Sequence, residues 1–86
     1  MVPLEQLNPG AVGYIGALEG GHRFISRLAA LGFTPGAPVT VVRNYGHGPI
    51  IVQVRGAQIA LGRGEAGRIL VHREDDDGAA AANDDA

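Results

Sequence analysis

The residues that could do chemistry in this 86-residue chain are few: three histidines, one serine and a handful of carboxylates, with no cysteine. The missing thiols exclude disulfides, thiolate zinc sites, iron–sulfur ligation and a cysteine nucleophile. His22, His47 and His72 stand far apart, with no HxxxH spacing, whereas a metal site needs three or four converging ligands. Ser26 falls on the polar side of a short helical pattern and not on a strained GxSxG turn. Up to residue 73 the only carboxylates are Glu5, Glu19 and Glu65, no two of them close in sequence. The run GRGEAG, residues 62–67, lacks the length and the Lys-Ser/Thr ending of a phosphate loop and reads as a tight turn or single helical turn. No catalytic residue, metal site or cofactor is expected, and the chain is read as a binding module rather than an enzyme.

Charge divides the chain. Residues 74–86, EDDDGAAAANDDA, hold six acids and no base, and are expected to form a disordered tail. Residues 1–73 carry seven arginines against three glutamates, a net of +4, and form the single expected domain. The arginines are scattered, and the four aromatic residues are too few for a base-stacking platform. A small-barrel nucleic-acid binder is therefore an alternative and not the first choice. Neither a secretory signal nor an apolar run of ~18 residues is present, so a cytoplasmic protein without membrane insertion is expected.

The elements that must position any site follow from local patterns. Ala11–Leu18 reads as a strand, with Gly13 and Gly16 marking a bend or close backbone approach. After Gly20-Gly21 comes HRFISRLAALG, an amphipathic helix of about three turns that Gly32 can end in a left-handed conformation. Phe24, Ile25 and Leu31 are expected to anchor it, with Leu28 between the buried stripe and the arginine side. Thr34-Pro35-Gly36-Ala37 has the residues of a type II turn. Strands follow at residues 38–43, 50–55, 59–61 and 67–73. Asn44–Pro49 joins the first two of these as a hairpin loop, with His47 at its tip. The sum is a mainly β fold: a small closed or partly closed barrel of about five strands, with one helix inserted after the first.

Taken in order, LNPG, RLAALGFTPGAPVTVVRN and GPIIVQVRGAQIALGRGEAGRILV resemble the FeoA family of small ferrous iron transport proteins. The resemblance runs from about Leu4 to His72. It implies an SH3-like barrel and a cytoplasmic partner of FeoB, the membrane ferrous iron transporter with a GTPase domain, whose activity it would modulate. The alternative it leaves is the SH3-like module of an iron-dependent transcriptional regulator, and a homo-oligomer stays open. The partner surface is expected on the helix and the turn after it, through Arg23, Arg27, Leu28 and Phe33, with Tyr45 and His47 of the hairpin next in line. Arg23 and Arg27 lie four residues apart, so they share a helix face and can pair with acids.

Overall fold

The computed structural model describes residues 1–74; of the expected acidic tail, Glu74 alone falls among them and the rest lies outside the described residues. The chain runs β1 (Val2–Pro3), a 3-10 turn (Leu4–Gln6), β2 (Val12–Leu18), α1 (His22–Leu31), β3 (Pro38–Arg43), β4 (Ile50–Val54), β5 (Ala57–Leu61), α2 (Arg63–Ala66) and β6 (Ile69–Arg73). All neighbouring strands are antiparallel, in the order β1-β6-β2-β3-β4-β5. The fold is mainly β, as expected, but with six strands among the described residues. β1 is only two residues long and contains Pro3, too short to show the alternation by which strands are recognised. The helix therefore follows the second strand and not the first.

One face of the sheet supplies the core. Val39 and Val41 of β3, Ile50, Val52 and Val54 of β4, and Ile69 and Val71 of β6 alternate inward and are fully buried or nearly so. Leu4 and Leu7 close one end of this core, and Leu28 and Phe33 enter from the helical segment. β2 carries a bulge at Gly16, where its register with β6 shifts between Ile15 and Ala17. Gly13 is the close approach: a Cβ there would lie 2.8 Å from Val71 Cγ2. Both glycines do what their place in the strand suggested.

The sheet curls but does not close, since β1 and β5 end it without pairing to each other. The 3-10 turn and α2 are joined instead by side chains: Arg63 Nη1 lies 4.0 Å from Glu5 Oε2. No helix among the described residues is long and apolar enough to cross a membrane.

A candidate docking surface on the first helix

α1 starts after Gly20, whose φ of 149° brings the backbone against the Phe24 ring: a Cβ there would sit 2.8 Å from Phe24 Cδ2. The Arg68 guanidinium covers that ring, 4.7 Å from its centroid. At its other end the helix closes in a Schellman motif. Gly32 is left-handed (φ 109°), its amide donates to Ala29 O, and the Phe33 amide donates to Leu28 O at 3.0 Å. The chain then reverses through Thr34–Ala37, with Gly36 at φ 84° and the Ala37 amide on Thr34 O at 2.9 Å, a type II turn.

This ending changes the expected site. Leu28 and Phe33 were expected to face a partner, but both are fully buried in the core. The Schellman motif characteristically pairs an apolar residue in the last helical turn with one just beyond it, and here those positions are 28 and 33. Leu31 and Ile25, expected to anchor the helix, remain 41% and 36% exposed. At 100° per residue they flank Leu28 by 60° on either side, so a helix seated on Leu28 leaves both on its shoulders. Phe24 is half-buried.

Arg23, Arg27 and Leu31 form an i, i+4, i+8 row along one of those shoulders. Arg27 is paired with Glu65 of α2, its side chain still 56% exposed. Glu65 uses its other oxygen to accept the Gly62 amide at 3.0 Å, the glutamate half of a capping box whose glycine has no side chain to return. The Arg27 hydrogen bond and the Gly62 amide hold the Glu65 carboxyl below its ordinary pKa, with Arg68 adding to the effect. Arg23 has no hydrogen bond or ion pair among the described residues. The surface on this shoulder is thus the exposed Leu31 with one open and one anchored arginine beside it, while Ile25 lies on the opposite shoulder. This surface can bind an acidic, partly apolar protein surface.

Tyr45 and His47 sit on the β3–β4 hairpin loop, as expected, Tyr45 being 72% exposed. Asn44 fixes the base of that loop. Its Nδ2 donates to Glu5 O (2.8 Å) and Leu7 O (2.9 Å), and its Oδ1 accepts the Gly46 amide and Arg63. α2 therefore holds both candidate elements, α1 through Glu65 and the hairpin through Arg63. Of the two readings the sequence offers for residues 62–67, a tight turn or a single helical turn, the structure has the helical turn, and the glutamate three residues after Gly62 is the signal that separates them.

His22 lies in α1, His47 in the hairpin and His72 in β6, and among the described residues no three His, Asp or Glu side chains converge as a metal site requires. Four of the seven arginines, at positions 27, 55, 63 and 68, make internal contacts.

Comparison with known proteins places the chain. The FeoA domain model matches residues 2–73, the whole of the sheet and its helices. The chain belongs to the FeoA family. A candidate Fe(2+) transport protein A of Methanocaldococcus jannaschii is 34% identical over 71 residues, covering 83% of this chain and 85% of that one. The crystal structure of an iron uptake regulatory protein, FeoA, superposes with a TM-score of 0.78 at 40% identity, covering 84% of this chain and 96% of that one. Stenotrophomonas maltophilia FeoA, solved with zinc and described as a prokaryotic SH3 domain protein, gives 0.70 at 29% identity, with 83% and 89% covered. The open six-stranded sheet is accordingly an SH3-like fold, and the family places this FeoA domain among the accessory proteins of ferrous iron transport.

Proposed function

We propose that this FeoA protein binds the cytoplasmic GTPase part of the FeoB ferrous iron transporter and modulates its activity, using the Arg23–Arg27–Leu31 shoulder of α1. The observation that carries the reading is Leu31, left 41% exposed in the same row as Arg23 and Arg27, with Arg23 making no hydrogen bond or ion pair among the described residues. Arginine is enriched among interface anchors, an exposed leucine beside it adds apolar area to bury, and no catalytic group is required of such a module. The Stenotrophomonas relative is described as possibly acting as a ferrous iron transport activating factor, which is the same kind of role. The site of action is the cytoplasm, where the transporter's GTPase part lies. The arginines do not favour a nucleic-acid partner, because four of them are committed within the fold and leave no continuous basic stripe.

The test is calorimetric titration of the purified chain with the soluble GTPase part of its FeoB. The Arg23→Glu/Leu31→Ser double variant is expected to keep the wild-type melting temperature and to bind more weakly by about 1 kcal/mol or more. Undiminished affinity in that variant would remove α1 as the docking face, and no binding by the wild-type chain would remove FeoB as the partner.

A further inference from the structure

The two ends of the sheet are treated differently. β1 is two residues long and includes a proline, which blunts that edge. β5 is five residues long, Ala57-Gln58-Ile59-Ala60-Leu61, with no proline and no charge. Among the described residues no strand lies beside its outer side. The β4–β5 turn places Arg55 at φ 50° and Gly56 at φ 80° between the paired residues Val54 and Ala57, a two-residue type I′ hairpin. In such a hairpin the residues flanking the turn form a hydrogen-bonded pair, and the pattern alternates outward from it. Ala57, Ile59 and Leu61 therefore bond to β4, while the amides and carbonyls of Gln58 and Ala60 point to the open side. Both residues are exposed, and neither makes a backbone bond to another element or a side-chain bond among the described residues.

We infer that the β5 edge is a strand-addition site for an extended segment of another protein, uncharged at its centre and acidic at its ends. Gln58 and Ala60 offer a short ladder of two donors and two acceptors, the way an exposed sheet edge captures a peptide. The charge at the strand's ends selects the occupant. Arg55 precedes the strand and is exposed beyond its bonds to Gly32 and Thr34, and Arg63 follows it with its side chain 28% exposed and Glu5 at 4.0 Å. A second copy paired antiparallel, with Gln58 opposite Ala60, would carry Arg55 of one chain toward Arg63 of the other at both ends. Like charges there oppose self-pairing, and acids at the ends of a foreign strand are attracted. This site is separate from the α1 surface and does not depend on it.

The probe is a synthetic peptide of alternating Thr and Val with paired aspartates at both ends, compared with the same core ended in lysines. Binding is followed by chemical-shift changes of the backbone amides. The acid-ended peptide is expected to move the Gln58 and Ala60 amides and to bind about tenfold more tightly than its lysine-ended counterpart. Ala60→Pro removes an outward amide without touching the β4 ladder, so binding should be lost while the Ile59 amide stays protected from exchange. Gln58→Glu, which leaves the backbone intact, should weaken the acid-ended peptide alone and serves if the proline variant does not fold. Equal binding of the two peptides, or shifts confined to other strands, would overturn the proposal. Concentration-dependent dimerisation abolished by Ala60→Pro would assign the edge to a second copy instead.

Discussion

The Phe33 amide donates to the Leu28 carbonyl at 3.0 Å, and both side chains are fully shielded from solvent. This single relationship fixes how α1 leaves the sheet and which of its apolar residues face inward. It follows that Leu28→Ala should lower unfolding free energy by about 2–5 kcal/mol, the usual result of emptying a buried leucine site. Ile25→Ala and Leu31→Ala should each change it by only about 0.5 kcal/mol. Urea denaturation of the three variants checks the contrast, and equal losses would mean that the helix seats differently.

Gly32 tests the same ending from the backbone side. Its φ of 109° is unfavourable for any residue with a Cβ, and that Cβ would lie 2.7 Å from Arg55 Cδ. Gly32→Ala is expected to cost about 1–2 kcal/mol from the left-handed conformation. It must also push aside Arg55, which donates to Thr34 Oγ1 at 2.9 Å. Gly36→Ala, at φ 84° in open space, carries the conformational cost alone. Adding Arg55→Ala should then recover part of the loss at Gly32 and none at Gly36, a coupling that a double-mutant cycle reads directly.

Asn44 should behave as a structural residue despite its place at a loop. Asn44→Ala removes both bonds to the 3-10 turn and the acceptor for Gly46 and Arg63. The part-buried partners left unsatisfied set the expected loss at about 1–3 kcal/mol. Amide exchange should quicken in the Asn44–Pro49 loop and around Glu5 together, because one side chain ties the two. Protection that falls at the loop alone would contradict that tie.

The Arg27–Glu65 pair gives a pH signature. Arg27 and the Gly62 amide stabilise the ionised carboxylate, so its folded pKa lies below the unfolded one. The pair's contribution is therefore complete above the ordinary glutamate range and is lost as pH falls through the depressed folded value. Glu65→Gln should reduce stability at neutral pH by under about 1 kcal/mol, as expected of a largely solvated pair. The difference from wild type should shrink toward strongly acid pH in paired melting curves. A difference that grows on acidification would reverse the assigned direction.

How far the sequence alone carried depended on whether a feature was local. The left-handed end at Gly32, the turn at Thr34–Ala37 and the hairpin around His47 each rest on one or two residues whose backbone preferences are distinctive, and all appear in the structure. β1 was not legible, because a two-residue strand exists only by virtue of its partner β6. The face of α1 was misjudged because Phe24, Ile25, Leu28 and Leu31 occupy one broad apolar arc. Periodicity locates such an arc but not the narrow stripe that the sheet can cover. Asn44 read as a turn residue; its bonds to Glu5 and Leu7 span nearly forty positions and leave no local trace.

β6 is the last of the described strands in the chain, yet it lies between β1 and β2, with Arg73 opposite Gly13. During synthesis β2 to β5, which pair in chain order, can assemble as they emerge, but the flank of β2 stays bare until β6 is released. Pairing between such distant segments closes a long loop and is intrinsically slow. The nascent chain's vulnerable interval is therefore set by the last few residues of the domain. A ribosome stalled after α2 would hold a half-sheet with β2 exposed as a template for the wrong neighbour.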